Sequence, residues 1–334
     1  MAEPQKRALI TGITGQDGRY LAELLLKKDY KVYGLVRVQN NPKRSAVERE
    51  TPAVKLITGD LTDMGSLVRA LEISQPHEVY NLAAVSFVAS SFIQPEVAYN
   101  VSGQGALRLL EAVRIFDGGR GRVRYYQAST SELFGAAQET PQTELTPFRP
   151  SSPYGLAKAY AHHMTVGYRE RYGLHASCGI LYNHESPRRG HQFVTRKVTS
   201  TVARIKLGLE EKLLLGNLDS QRDWGFAGDY VRGMWLTLQQ NQPGDYILAT
   251  GETHSISELL DAAFGEVGIK DWKPYVEQDP QLMRPTEVNL LRGDPSKARQ
   301  RLGWEAEVKF RQLIAMMVKN DLETEEVSGR YSSL

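Results

Sequence analysis

A doubly wound parallel α/β sheet with a smaller C-terminal region is the architecture this sequence predicts, on three observations. Short apolar runs alternate with helix-period segments through the first half of the chain. The first run ends in a cluster of glycines that leads directly into the first helical pattern. Beyond about residue 182 the alternation gives way to helices separated by polar loops and short strands.

Taken in order, Arg7–Thr11 reads as the first strand and Tyr20–Leu26 as the heart of the first helix. Lys31–Val36 is the second strand and Val54–Thr58 the third. A helix over Asp63–Ile73 starts at an aspartate. Glu78–Ala83 is the fourth strand, followed by a long helix over roughly Val97–Phe116 and a fifth strand at Arg122–Ala128. The helix from Ser152 to Tyr172 stops at Gly173, the position after a helix end that glycine favours, and His175–Tyr182 is the sixth strand. Strands spaced by helices of this length are βαβ units, whose right-handed crossovers make a doubly wound sheet. Later helices are expected at Thr195–Leu207, Asp229–Gln239, Ser255–Val267, Pro295–Leu302 and Phe310–Asp321, with strands at Lys212–Leu215 and Asp245–Ala249 and a frayed tail after Thr324. Arg37–Ala53 is long, basic and without a clear period, which reads as a functional or disordered loop.

Composition narrows the function classes. The 334 residues correspond to about two domains at roughly 150 residues each. Lys plus Arg number 41 and Asp plus Glu 39, a net charge of +2 that argues against a main role in neutralising nucleic-acid phosphates. One cysteine, Cys178, excludes an internal disulfide framework and a cysteine zinc site, and reads as a small core residue. No run approaches the ~18 apolar residues of a membrane span, and no signal-peptide core precedes the glycines. A cytoplasmic location without membrane or nucleic-acid partners is the expectation.

The turn Thr11-Gly12-Ile13-Thr14-Gly15-Gln16-Asp17-Gly18 is a G-x-x-G-x-x-G arrangement between the first strand and first helix. Glycine permits a tight turn and close backbone approach to a pyrophosphate, and the following helix presents its N–H groups there. A Rossmann dinucleotide site is therefore expected over Gly12, Thr14, Gly15, Gln16, Asp17 and Gly18, with Leu61, Leu82 and Ala83 from the third and fourth strand ends beside it. The second strand ends at Val36-Arg37. An acidic residue there would bond the ribose 2′-OH of NAD, whereas arginine accommodates a 2′-phosphate, so NADP is the expected cofactor unless Arg37 is a solvated strand-end charge. Lys43 and Arg44 are placed to reinforce phosphate binding or to lie in solvent. Asp60 is placed either to meet the adenine amine or to cap the next segment.

Tyr154 and Lys158 form a Y-x-x-x-K at a helix start, with both side chains on one face. An ammonium beside a phenol stabilises the phenolate and makes tyrosine a usable base. The fifth strand runs out at Ala128-Ser129-Thr130-Ser131-Glu132, where Thr130 offers a hydroxyl to a reacting oxygen and Glu132 a second acid/base group.

With these residues in order the chain resembles the extended short-chain dehydrogenase/reductase family. Ala128 to Gly135, Tyr182 to Gly190 (YNHESPRRG), Phe193 to Lys197, Arg222 to Ala227 (RDWGFA) and Thr250-Gly251-Glu252 further resemble its GDP-mannose 4,6-dehydratases, over roughly residues 6–322. The resemblance implies a redox-neutral lyase acting on a GDP-sugar, with NADP retained. Tyr154 and Lys158 would oxidise C4 with Thr130, and Glu132 would remove the C5 proton and help C6 hydroxyl leave as water. It implies that Asn183, Lys197, Arg222 and Arg284 contact the diphosphate and its neighbours. Glu185 would contact the substrate from the same segment as Asn183, Glu287 would meet the ribose or guanine, and Ser86 the sugar. Residues 1–182, with segments around 228–265 returning to them, would form the cofactor domain, and 183–334 mainly the substrate region. A homodimer or homotetramer is implied. Two departures stand out: Val38 follows Arg37 where relatives carry a second arginine, and Ala84-Val85-Ser86 replaces Ala-Gln-Ser. A GDP-heptose dehydratase, or a sugar-nucleotide epimerase or reductase, is the alternative. His184 and the His162-His163 pair lack metal-ligand spacing, so packing or surface roles and no metal are expected.

Overall fold

The computed structural model describes residues 5–38, 41–282 and 290–332. The order begins β1 (Arg7–Thr11), α1 (Gln16–Lys27), β2 (Lys31–Val36), α2 (Arg44–Glu50), β3 (Lys55–Thr58), α3 (Met64–Ser74) and β4 (Glu78–Asn81). It continues with α4 (Val88–Ile93), α5 (Pro95–Ala98), a π-helical segment (Tyr99–Gln104), α6 (Gly105–Asp117), β5 (Arg124–Thr130), α7 (Pro153–Tyr172) and β6 (His175–Leu181). Then come β7 (Asn183–Glu185), α8 (Val194–Lys206), β8 (Leu213–Leu215), β9 (Gln221–Arg222), β10 (Trp224–Phe226), α9 (Ala227–Gln239) and β11 (Asp245–Leu248). The chain closes with β12 (His254–Ser255), α10 (Ile256–Glu266), β13 (Val276–Gln278), β14 (Leu290–Leu291), α11 (Ser296–Leu302) and α12 (Phe310–Ser332).

Seven strands form one parallel sheet in the order β11-β6-β5-β4-β1-β2-β3. The predicted doubly wound sheet is thus present, and β11 reaches its edge from the C-terminal half. The chain reverses direction of winding between β1 and β4, which opens a crevice beyond their carboxyl ends. Successive side chains of a strand point to opposite faces. Accordingly Ala8 and Ile10 pack with Leu21 and Leu25 of α1 and Val231 and Met234 of α9, while Leu9 packs on the other face with Leu67 of α3 and Leu109 and Val113 of α6. Both faces are covered, so the strands are mostly apolar, and the buried Glu78, Asn81 and Gln127 are hydrogen-bonded within the fold. A separate core of Val198 and Val202 (α8), Leu259 and Phe264 (α10) and Ile314 and Val318 (α12) supports the C-terminal region. No helix among the described residues is long and apolar enough to cross a membrane.

Four expectations are corrected. The basic 37–53 connection contains α2, because Val47 is fully buried, Arg44 and Glu48 pair one turn apart at 2.7 Å, and Arg19 of α1 holds Glu50 at 2.8 Å. The long helix over 97–116 is interrupted by the π segment, where Ser102 accepts the Val85 N–H at 3.0 Å and so ties the post-β4 loop to the helix. The fifth strand lies two residues later than expected, which places Ser129 and Thr130 within β5. The last helix does not fray at Thr324 but continues to Ser332.

Candidate active site

The crevice is built first from the glycine turn. Gly12 has φ +71°, and a Cβ there would stand 2.8 Å from the Ala83 nitrogen. A Cβ on Gly18 would meet the Gly12 carbonyl oxygen at 2.5 Å and the Ile13 Cα at 2.6 Å, so α1 packs on its strand only without a side chain there. Thr11 Oγ1 accepts from the Leu82 and Ala83 N–H groups at 3.2 Å and donates to Asn81 at 2.7 Å. Gly12, Gly18, Leu82 and Ala83 are therefore one surface, as the sequence reading grouped them. α1 begins at Gly15 and Gln16 with no side-chain cap, so its leading N–H groups have no partner from a capping side chain.

The other strand ends are placed differently. Arg37 is exposed at the end of β2. Asp60 Oδ1 accepts from both the N–H and the hydroxyl of Thr62 at 2.8 Å, which is the local turn-capping arrangement. Leu61 is buried, against Gly105 of α6.

Asp17 and Gln16 reach across to the segment after β6. His184 Nε2 lies 2.8 Å from Asp17 Oδ2, and its Nδ1 lies 2.7 Å from the Tyr182 carbonyl oxygen. Both partners only accept, so both ring nitrogens donate and the imidazole is held protonated. Burial opposes that charge, but Asp17 outweighs it and His184 is raised above its ordinary value. Burial likewise works to raise Asp17, and the His184 charge and hydrogen bonds leave it below the ordinary value. Gln16 donates to the His184 carbonyl at 3.0 Å and accepts from Ser186 at 2.7 Å. The His184 ring stacks on Tyr230 at 4.7 Å. His184, expected to serve packing or surface, is thus the link between the glycine turn and β7.

The reacting groups converge where β5 meets α7. Ser152 caps α7 by accepting from the Gly155 N–H at 3.0 Å, and Tyr154 follows in the first turn. A Cβ on Gly155 would lie 2.8 Å from the Glu132 carbonyl oxygen, so that turn sits directly on Glu132. The Thr130 hydroxyl accepts the Glu132 N–H at 3.3 Å and lies near enough to the Tyr154 phenol to lower its pKa. Tyr154 is buried, and burial pushes its phenol above the ordinary range; Thr130 pulls it back, the Glu132 charge pushes it up, and Arg189 pulls it down. Lys158 Nζ donates to the Ala128 carbonyl at 2.6 Å and lies 5.9 Å from the centroid of the Tyr154 ring. The expected lysine–phenol pairing is not made, and burial pushes the ammonium down to about 8.

Among the expected substrate contacts, Ser86 is exposed after β4 and Asn183 is half-buried at the start of β7. Lys197 is half-buried on α8, where burial lowers its ammonium. Arg222 is 8% exposed on β9, between His254 of β12 and Leu291 of β14. Glu185 is turned inward: its Oε2 accepts from Thr195 at 2.5 Å and sits 3.0 Å from Arg189 Nε. Its carboxylate thereby anchors Arg189, whose guanidinium lies 3.5 Å over the Phe193 ring. Arg284 and Glu287 lie outside the described residues.

Arg189 and Asp223 carried no role in the sequence reading, although both sit in quoted motifs. Asp223 is fully buried and accepts from the Thr250 N–H at 2.9 Å, the Thr250 hydroxyl at 2.7 Å and the Gly251 N–H at 2.9 Å. Burial nonetheless raises it to about 6. It ties the loop after β11 to the strand carrying Arg222. Among the described residues, His162, Cys178 and Asp245 are a grouping with metal-ligand atoms within 4.8 Å of one another. Arg169 holds both Asp245 oxygens at 2.9 and 2.8 Å, so the carboxylate is already neutralised there.

Residues 9–317 match the family described as GDP-mannose 4,6 dehydratase. GDP-mannose 4,6 dehydratase 1 of Arabidopsis thaliana is 53% identical over 332 residues, covering 97% of this chain and 91% of the plant protein. GDP-mannose 4,6-dehydratase of Sinorhizobium fredii is 51% identical over 341 residues, covering 95% of this chain and 97% of that protein. Among solved structures, the dTDP-glucose 4,6-dehydratase DesIV of Streptomyces venezuelae, with NAD bound, superposes with a TM-score of 0.83 at 25% identity, covering 96% of this chain and 98% of that one.

Proposed function

Since this chain belongs to the GDP-mannose 4,6-dehydratase family, we propose that it converts GDP-mannose to GDP-4-keto-6-deoxymannose and water, without net oxidation. The observation that carries the reading is Glu132, whose backbone carbonyl packs on the first turn of α7 and whose charge acts on the Tyr154 phenol. A simple reductase needs the hydroxyl, phenol and ammonium; water loss needs one more carboxylate at the same place.

A nicotinamide dinucleotide fits the crevice, because the turn at Gly12 and Gly18 has no room for side chains and α1 starts uncapped toward it. Bound there, it would accept hydride from sugar C4 and return it to C6. Gly12, Thr14, Gly15, Gln16 and Gly18 would hold its pyrophosphate, with Leu82 and Ala83 along one side. Arg37, exposed at the end of β2, supports NADP over NAD through a 2′-phosphate contact.

Tyr154 Oη takes the proton from O4 while Thr130 Oγ1 holds that oxygen in line. The C4 ketone acidifies C5, and a Glu132 carboxylate oxygen removes the C5 proton. The same carboxyl then protonates O6, which leaves as water. Tyr154 returns a proton to C5, which closes the balance. Lys158, fixed on the Ala128 carbonyl, contributes its positive charge beside Tyr154. Asn183, Lys197 and Arg222, with Arg284, hold the nucleotide diphosphate, and Glu287 and Ser86 meet the ribose or guanine and the sugar. The reading includes an assembly of two or four copies, which exposed Phe92, Ile93, Val97, Tyr99 and Leu156 on adjoining helices support.

Incubation of the purified protein with GDP-mannose, without added reductant, tests the reading by mass spectrometry. A product lighter by one water is expected, with NADP as the nucleotide released on denaturation. Glu132→Gln should slow water loss by on the order of a hundredfold or more while C4 oxidation, read as transient absorbance of reduced cofactor, persists. Equal loss of both steps would remove Glu132 from the role assigned to it.

A further inference from the structure

His162 lies one helical turn beyond Lys158, and Tyr154, Lys158 and His162 recur every four residues on one face of α7. Each faces a different residue at the end of β5. His162 Nδ1 lies 3.0 Å from Ser129 Oγ, Lys158 Nζ lies 2.6 Å from the Ala128 carbonyl, and the Tyr154 phenol is near enough to Thr130 for that hydroxyl to lower its pKa. We propose that His162 is a positioning residue for the dehydration: through Ser129 it sets where α7 sits along β5, and hence the approach of Tyr154 to Thr130 and Glu132.

The inference rests on the dehydratase reading above and adds a residue to it. His162 is 5% exposed and bracketed on every side. Phe148 meets its ring edge-on at 4.9 Å, and its Nε2 stands 3.9 Å from Asp245 Oδ2. Asp245 is in turn gripped by Arg169 of the same helix. The imidazole, itself carried by α7, is thereby bonded to β5 at Nδ1, with the Asp245 carboxylate of β11 facing Nε2. Burial keeps it neutral at ordinary pH, pushing it down to about 4. Its Nδ1 and the Ser129 hydroxyl share one hydrogen bond, whose direction follows the ring tautomer. Ser129 lies between Ala128, which holds Lys158, and Thr130, which faces the phenol. A shift of the helix by a fraction of an ångström is therefore delivered in full to the Tyr154–Thr130 contact, since helix and strand are both stiff. Misplacement of about 1 Å costs on the order of a hundredfold in rate.

The test compares Ser129→Ala, His162→Ala, His162→Asn and the Ser129→Ala/His162→Ala double variant, recording kcat and KM for GDP-mannose alongside Tm. The expected result for His162→Ala and Ser129→Ala is a kcat lower by on the order of ten- to a hundredfold, with KM within about twofold of wild type, as for loss of an interaction made in the transition state. Asparagine places a hydrogen-bonding group near the Nδ1 position, so His162→Asn should recover most of kcat. The double variant should be no slower than His162→Ala, because both changes remove one link. A fall in Tm with kcat unchanged, no recovery by asparagine, or additive losses would each overturn the proposal. Should His162→Ala fail to fold, Ser129→Ala decides alone, since it removes one oxygen. If the wild-type chain leaves GDP-mannose untouched, the functional reading is what fails; crystal structures of wild type and Ser129→Ala then decide the positioning claim, which an unchanged Tyr154–Thr130 contact refutes.

Discussion

His184 shows what a single side chain does in this molecule. Its two nitrogens join the Asp17 carboxylate at the glycine turn to the Tyr182 carbonyl at the end of the sheet. Because its folded value lies above 6.5, the folded state holds a proton that the unfolded chain releases near that pH. Its contribution is fully present below pH 6.5 and is lost as pH rises through the folded value. Asp17, held below 3.8, contributes above that pH and loses its contribution only in acid. His184→Gln should therefore be less stable than wild type at pH 6, by a margin that narrows as pH rises above 6.5. Urea midpoints at pH 6 and pH 9 measure it, and a margin independent of pH would refute the charged pairing. Burial opposes the charge of Lys158 as it does that of His184, and there it prevails, lowering the ammonium to about 8.

At the scale of the element, α7 is the part whose start matters most. Ser152 satisfies the Gly155 N–H that Pro153 and the helix geometry leave open, and Tyr154 stands in that turn. Ser152→Ala should cost about 1 kcal/mol, seen as a lower urea midpoint. It should also lower kcat severalfold, because fraying of the first turn moves the phenol away from Thr130. Stability lost with kcat intact would mean that the β5 attachments alone hold Tyr154. α2 gives the complementary lesson. Its seven residues are mostly good helix formers but too few to hold a helix alone, and Val47 finds the core while Glu50 joins Arg19 and Arg188 at 2.8 and 3.2 Å. Tertiary partners, more than local sequence, make it a helix.

For the whole molecule, buried polar links join elements far apart in the sequence. Arg196 of α8 pairs with Asp321 of α12 at 2.5 Å, both nearly inaccessible, and Thr199 donates to the same carboxylate at 2.7 Å. Asp321→Ala would leave the Arg196 charge buried without its partner, so a loss on the order of 3 kcal/mol or more is expected. Denaturant unfolding checks this; a change within about 0.5 kcal/mol would show that α12 is held by its apolar face alone. Asp223 makes the second link, gathering the loop after β11 onto the strand that carries Arg222.

Local sequence was sufficient for much of this protein. The alternation of apolar runs, the G-x-x-G-x-x-G turn and the Y-x-x-x-K spacing depend on neighbours within a few residues. They therefore foretold the parallel sheet and the glycine turn beside Leu82 and Ala83. Contacts between distant segments carry no such periodicity. Asp17 and His184 are 167 residues apart, and only the carboxylate brought to the ring by the fold outweighs burial and makes the imidazole a charged link. Glu185 reads as a ligand of substrate until Arg189 and Thr195 are found to occupy it. Ser129 and His162 look ordinary in a strand and a helix until the packing of α7 on β5 brings them to 3.0 Å. Motif residues were legible because backbone geometry dictates their type; their supporting partners were not, because desolvation and hydrogen-bond pairing are decided only when the folded chain brings them into contact.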